Sequence, residues 1–511
     1  MDVTSLPASR TSRGALVVLV GAVLLLAVDG TVLYLAVPSL SRDLHASATQ
    51  VLWIGDVYSL ALAGLLVTMG TLGDRIGRKK LLLTGTTAFG LASLLAAFAS
   101  SAELLILARL VLGVAGATIM PSTLSIIRNL FPDPTERTRA IAIWSAASAG
   151  GLALGPLVGG ALLERFWWGS VFLINLPVTA VLLVAGIWLL PETRNPRAGR
   201  FDLGSSALSM VTVVPLVWAV KHTVSSGPDV GALTAVVVGV VAGLLFVRRQ
   251  RRMTTPMIDV ALFRAPAFSG AVLANVIAIF ALTGLLFFFS QYLQLVRGFG
   301  PLRAGLAEMP TTLASIGVVA FVSWVSGRLG RGRAVAAGLT LSAAGLVLVA
   351  VAEGAERYLW TGLALVPVGL GIGLAMTLTT DAVVSAVPAR KAGSASAVAE
   401  TAYELGVVLG IAVLGSVVTA TYRHLLVLPA DLPTPVRLAA RDSLASALDV
   451  LDPGSTAAHV ARDAFSGAMQ TTSVIAAACT QVAALVAWRT IPSHPARAES
   501  VSGAASVPGS Q

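Results

Sequence analysis

Fourteen stretches of about 20 mostly apolar residues recur along this 511-residue chain, and no other feature restricts its folding so tightly. They lie near 14–37, 51–72, 81–100, 103–126, 139–162, 170–190, 204–221, 229–247, 267–290, 303–325, 334–352, 357–380, 393–420 and 471–490. A helix rising about 1.5 Å per residue crosses the roughly 30 Å of bilayer hydrocarbon with each of them. Charged residues make up only 12% of the chain, against about 25% in a soluble domain, so no water-facing shell for this mass can be built. The apolar runs are continuous and do not alternate, which excludes an outer-membrane barrel. The expectation is an all-α polytopic membrane protein. The first run is too long for a cleavable leader and meets Asp29 where a small-residue cleavage site would fall, so it reads as a retained span.

The net charge of +10 has a topological explanation. With the N-terminus in the cytoplasm, 24 of the 35 Lys and Arg fall in cytoplasmic segments and ten in outer ones, with Arg109 inside a span. Both termini are therefore expected in the cytoplasm, and no nucleic-acid partner is needed to account for the charge. Cys479 stands alone and the five histidines show no ligand spacing, so neither a metal nor a cofactor is expected. No lysine follows a Gly-x-x-x-x-Gly run, which argues against direct ATP coupling, and nothing resembles a nucleophile with its base. The chain is not expected to be an enzyme. Arginine outnumbers lysine 31 to 4, a bias of GC-rich, bacterial coding.

Basic connections at Arg194–Arg200 and Arg248–Arg264 divide the spans into six, two and six. The expected organisation is a cytoplasmic tail over 1–13, a six-helix bundle over 14–190 and two inserted helices over 204–247. A second six-helix bundle follows over 267–490, interrupted by a long extracellular loop at 421–470, and a tail covers 491–511. An internal echo supports two equivalent halves: Gly70-Thr-Leu-Gly73 after the second span matches Gly327-Arg-Leu-Gly330 after the tenth.

The turn Gly70-Thr-Leu-Gly-Asp74-Arg75-Ile-Gly77-Arg78-Lys79-Lys80 carries the most specific pattern. Glycines permit a tight turn, and Asp74 can pair with an arginine or meet the positive end of the next helix dipole. The spacing resembles the signature loop of the major facilitator superfamily. Leu107-Ala-Arg109-Leu-Val-Leu-Gly113-Val-Ala-Gly116 resembles that superfamily's fourth-span motif, whose arginine is associated with proton coupling. Gly151-Leu-Ala-Leu-Gly155-Pro156-Leu-Val-Gly159-Gly160 is similar to its fifth-span antiporter motif, found in exporters. Asp29-Gly-Thr-Val and Leu52-Trp53-Ile-Gly-Asp56-Val-Tyr58 resemble the first two spans of fourteen-span drug:proton antiporters, in particular exporters of quaternary ammonium compounds and dyes. The resemblance implies a major facilitator fold. It also implies a conformational switch at Gly70, Asp74, Arg75, Gly77, Arg78, Gly151, Gly155 and Pro156.

An ionisable residue within a span is costly and therefore a functional candidate. Asp29, Asp56, Arg109, Glu308, Asp381, Glu400 and Glu404 qualify. Asp29 falls near midplane and is expected to face a central cavity, where a carboxylate holds a proton or a cation. Glu400 and Glu404 share a helix face, and repulsion between them favours one keeping its proton. Asp381, at a span end near Arg390 and Lys391, reads as structural. The resemblance implies proton coupling by Asp29, Arg109, Glu400 and Glu404. For cation recognition it implies Asp29, Asp56, Glu400 and Glu404, with Trp53, Tyr58 and Tyr403 as aromatic partners by cation–π contact. Some members of that family carry a further aspartate where this chain has Ser315, and Glu308 lies seven residues earlier, on nearly the same helix face.

The function expected is proton-coupled efflux of hydrophobic cations from a cell membrane by a monomer. Its partners are small-molecule cations, protons and the bilayer. The alternative is a dedicated exporter of one antibiotic or secondary metabolite.

Overall fold

The computed structural model describes residues 10–192, 202–253, 256, 258–385, 387, 392–429 and 432–493, and the regular structure among them is helical. The first half comprises α1 (Arg10–Asp43), α2 (Ala48–Ile76), α3 (Arg78–Ala97), α4 (Ala102–Leu130) and α5 (Pro134–Leu163). A span broken into α6 (Ser170–Leu173) and α7 (Asn175–Leu189) completes it. A hairpin of α8 (Leu203–Ser226) and α9 (Val230–Arg252) follows. The second half contains α10 (Pro266–Gln291), α11 (Pro301–Gly317), α12 (Val322–Leu329), α13 (Arg331–Glu353) and α14 (Tyr358–Ser385). It continues through α15 (Ala392–Leu409), α16 (Gly415–Leu425), α17 (Thr434–Asp442), α18 (Leu444–Val450) and α19 (Thr456–Thr490). A π turn at Tyr292–Val296 extends α10 and another at Gly410–Leu414 joins α15 to α16, while a 3₁₀ turn at Val318–Phe321 links α11 to α12.

Fourteen of these helical runs are long and apolar enough to cross a bilayer. Their starts follow local chemistry. Ser47 and Gln50 form a reciprocal capping box at α2, Asp133 caps α5 ahead of Pro134, and Ser455 caps α19. That last cap moves the final span's start to Thr456, well before the expected 471, so the 421–470 stretch is helical at both ends and carries α17 and α18 between. Hydropathy misses the early turns of α19 because His459, Arg462 and Asp463 lie on them. The tail before residue 10, the linker arginines 194–200, Arg390, Lys391 and the tail from 494 lie outside the described residues.

Contacts group the spans as two six-helix bundles with α8 and α9 added. In the first, α1 packs on α5, α4 and α7, and α2 on α4; in the second, α10 packs on α14, α15 and α19, and α13 on α14 and α19. α8 touches α2 of the first bundle and α16 and the Gly410–Leu414 turn of the second.

The turn between α2 and α3 corrects the internal repeat by four residues. α2 ends at Ile76, Gly77 takes φ +113° and donates its N–H to the Gly73 carbonyl, and α3 begins at Arg78. α12 likewise ends at Leu329, Gly330 takes φ +77° and donates to Ser326, and α13 begins at Arg331. Gly330 is thus the counterpart of Gly77, not Gly73, and both positions need a residue that tolerates positive φ.

The halves are pinched together at the face away from these turns. Near that face Gln294 Nε2 donates to the Leu35 carbonyl, at 3.0 Å, and the Tyr34 and Phe287 rings meet edge-on. A Cβ on Gly305 would stand 2.4 Å from the Pro156 carbonyl oxygen, and one on Gly160 would stand 2.8 Å from Leu302 Cα, so α5 and α11 touch backbone to backbone. α17 and α18 close the same face: Asp442 accepts from the Ala48 N–H at 3.0 Å, and Tyr422 donates to the Ala440 carbonyl at 2.8 Å. One apolar core runs through both halves there, whereas a second core nearer the turns contains residues of the second half alone.

Candidate functional site

The buried charges fall into paired and unpaired sets. Asp29 on α1 is fully buried, and Arg109 Nη1 on α4 donates to its Oδ2 at 3.0 Å. Asn175 Nδ2, at the start of α7, donates to Oδ1 at 2.8 Å and to Ser93 Oγ at 3.0 Å. Arg109 also donates to the Ile54 carbonyl, and its guanidinium lies 4.5 Å from the Tyr58 ring centre. Both Asp29 oxygens are therefore engaged within the first bundle. The expected exposure of Asp29 to a central cavity is not what the structure shows, since its side chain is fully buried in this conformation.

Asp56 on α2 is also fully buried, held by a residue the sequence reading had counted among the outer segments. Lys221 Nζ, on α8, lies 2.9 Å from Asp56 Oδ1 and 2.7 Å from Oδ2. The same ammonium sits 3.7 Å from the Trp53 ring centre.

Among the described residues the buried carboxylates Glu308, Glu353 and Glu404 have no lysine or arginine within ion-pair distance, and neither has the half-buried Glu400. Glu308 on α11 is 1% exposed, and neither oxygen finds a hydrogen-bond partner there. The neighbouring Ala307 carbonyl accepts from Tyr358 of α14 at 2.6 Å, and α11 packs against α5 of the first half, which places Glu308 by the seam between the halves. Glu404 on α15 is buried against Ser59 of α2 and follows Tyr403 in the chain. Glu400, one turn earlier, is partly exposed. The structure thus brings Glu404 to the first bundle, with Tyr403 and Glu400 beside it on α15, while Tyr58 packs on the Arg109 guanidinium.

Ser315, which stands where some members of the resembled family carry an aspartate, turns its hydroxyl into the second half. Ser315 Oγ donates toward the Thr311 and Gly369 carbonyls, each at 2.9 Å. Asp381 is exposed and pairs with Arg331 at 2.9 Å, the arginine that follows the Gly330 turn.

In the α2–α3 turn, Arg78 Nε donates to Asp74 Oδ1 at 3.0 Å across Gly77. Glu192 accepts from the Lys79 and Lys80 N–H groups, so an acid beyond α7 caps α3 and ties the sixth span to the turn. Arg75 is exposed, and Gly70 lies against Pro121 of α4. On α5, Cβ atoms at Gly151, Gly155 and Gly159 would collide with α1 residues 24–32, while Pro156 and Gly160 face α11. The motif therefore joins α1 on one side to the other half on the other.

The Asp74–Arg78 pair is partly exposed, so it is worth about 1.5 kcal/mol at most. Because it touches no buried acid, Asp74→Asn is expected to shift only the equilibrium between conformations. Initial export rates of three chemically distinct cations should fall by a common factor of up to about tenfold. A loss confined to one cation contradicts this.

Sequence reasoning missed Asn175, Lys221 and Glu192. Asn175 and Lys221 had a visible signal, a polar residue in or at the edge of an apolar run; Glu192 had none. Glu353, at the last turn of α13 and 3% exposed beside Ser473 of α19, was also passed over because it closes a span.

The profile of the Major Facilitator Superfamily matches residues 19–411. The multidrug efflux pump LfrA of Mycolicibacterium smegmatis is 47% identical over 477 residues, which cover 92% of this chain and 95% of that protein. The methyl viologen resistance protein SmvA of Salmonella typhimurium is 36% identical over 88% of this chain and 92% of its own. The tetracenomycin C resistance and export protein of Streptomyces glaucescens is 35% identical over 77% and 73%. Among solved structures, a bacterial homologue of the human lysosomal transporter Spinster, inward-facing and unoccupied, superposes with a TM-score of 0.65 at 17% identity, covering 94% of this chain and 98% of that one.

Proposed function

The chain belongs to the Major Facilitator Superfamily, and on that footing we propose that it exports amphipathic cations in exchange for protons. Its relatives make it a multi-pass efflux transporter of the multidrug and antibiotic-resistance type. The observation that carries the finer reading is the set of acids without basic partners. Burying a lone carboxylate in a low-dielectric interior is far costlier than burying a neutral or paired one. Glu308 and Glu404 therefore need a proton or a mobile cation, and an exchanger alternates the two. Asp29 and Arg109 couple to the proton without touching the drug, and Tyr58 packs on the Arg109 guanidinium. Aromatic Tyr403 beside Glu404 offers a π face to a delocalised cation.

The Lys/Arg asymmetry supports placing the 70–80 turn and both termini in the cytoplasm. The pinched face is then extracellular and the conformation inward-open. Rocking of 14–190 against 267–490 would open the other side, with Pro156 and Gly160 against α11 as the moving contact and Gly151 and Gly155 keeping α5 on α1. In everted vesicles loaded with acid by respiration, adding ethidium should release protons, and collapsing the gradient should stop uptake. Uptake that survives a collapsed gradient and stops on ATP depletion overturns proton coupling. The relative named for tetracenomycin C favours a second, narrower reading. Resistance to one antibiotic without resistance to cationic dyes would select it.

A further inference from the structure

Lys221 occupies what a cation-exporting chain would be expected to leave open. Its ammonium lies 2.7 Å and 2.9 Å from the two Asp56 oxygens and 3.7 Å from the Trp53 ring centre, and both charged side chains are essentially without solvent. A carboxylate set against an indole face is the chemistry that recognises an alkylammonium head. The lysine stem supplies the alkyl chain from α8. We propose that the Asp56–Trp53 pocket is an alkylammonium site filled by the chain's own Lys221, and that single-chain ammonium compounds compete with this tethered cation for it.

A simple staple holding α8 to α2 accounts for the geometry less well. Buried ion pairs are weak adhesives once desolvation is counted. The α8–α2 contact is also secured elsewhere: Met210 fills the space over Gly64, Thr68 and Ser206 share a hydroxyl hydrogen bond, and Ser209 donates to the Gly64 carbonyl. Val217, one turn before Lys221, packs in a cluster with Leu60 of α2 and with Val408 and Ala412 of the second half. Relative motion of the halves must therefore slide the helix that carries the lysine against at least one of them. Withdrawal of Lys221 from Asp56 leaves a vacant, negatively charged, aromatic pocket at the seam. Only the consequence for export rests on the proposed function; the site itself stands on the geometry.

The test is chemical rescue in lipid nanodiscs. Lys221→Ala truncates the side chain at Cβ, and n-butylammonium, the free counterpart of a whole lysine side chain, is the probe, with n-butanol as the uncharged control. The proposal expects n-butylammonium to raise the thermal midpoint of Lys221→Ala by a few degrees, saturably, with no response to n-butanol. Wild type and the Lys221→Ala/Asp56→Asn double variant should not respond. Ethidium uptake by Lys221→Ala should be inhibited by n-butylammonium at concentrations at least about tenfold lower than wild type requires. Lys221→Met keeps the stem's volume and serves if the alanine variant is not recovered; methylammonium is then the probe, with methanol as control. Equal responses in all proteins, or none in the lysine-free variants, overturn the proposal. Rescue in a protein whose wild type moves no cation would leave the site standing and remove only the export reading.

Discussion

Export by the Asp29→Asn variant is expected to fall to background, at least about 100-fold below wild type, a loss equivalent to about 3 kcal/mol. Asparagine keeps the size of the side chain and can still accept from Arg109, but it neither carries charge nor takes up a proton. Arg109 then remains a buried cation facing an amide, in a place where Asn175 Nδ2 already supplies a donor. Because breaking one partner of a buried pair destabilises the fold by itself, the decisive protein is the neutral double variant Asp29→Asn/Arg109→Gln. Replacing both ions removes the unpaired charge, so yield and thermal midpoint should return toward wild type. Export should not return, since a titratable carboxylate is what the exchange uses. Export restored to within about threefold of wild type in the double variant would reduce the pair to a structural role.

The fold was more legible in the sequence than the site because the two depend on different information. Each span is a local property of about 20 residues, and hydropathy reads it directly. Span edges are less legible where a helix leaves the hydrocarbon, as in α19, whose first turns are polar and whose start depends on one serine cap. Charge partnership is not local at all. Asp29 finds Arg109 80 residues away and Asp56 finds Lys221 165 residues away, and nothing along the chain selects those pairs. The acids were identifiable because a carboxylate in hydrocarbon is costly wherever its partner comes from. Which acids are already satisfied, and hence closed to a drug, needed the helices assembled. Lys221 shows the gap most clearly. At the edge of its apolar run it resembled an orientation charge, yet α8 turns it inward against α2, where it is 2% exposed.

An unsatisfied acid of the second half, Glu308, leads to the remaining large effect. Glu308 lies by the seam between the halves with no hydrogen-bond partner among the described residues, near Tyr358. Glu404 lies beside Ser59 of α2 where α15 packs on the first half, so the two carboxylates come to the seam from different helices. A cation with one positive centre needs a single carboxylate, whereas a bis-cation gains from both. Glu308→Gln is isosteric and removes only the charge. Ethidium export by this variant is expected to stay within about twofold of wild type, while export of a diamidine bis-cation falls at least about tenfold, the worth of one desolvated charge contact. Ser315→Asp is expected to gain nothing. Its carboxylate would point at the Thr311 and Gly369 carbonyls that Ser315 now donates to, and repulsion from two acceptors would outweigh any distant cation. Initial-rate efflux of both cations, measured side by side in the three proteins, decides the matter. An unchanged diamidine rate in Glu308→Gln removes Glu308 from recognition, and a diamidine gain in Ser315→Asp would mean that α11 turns its 315 face toward the drug during transport.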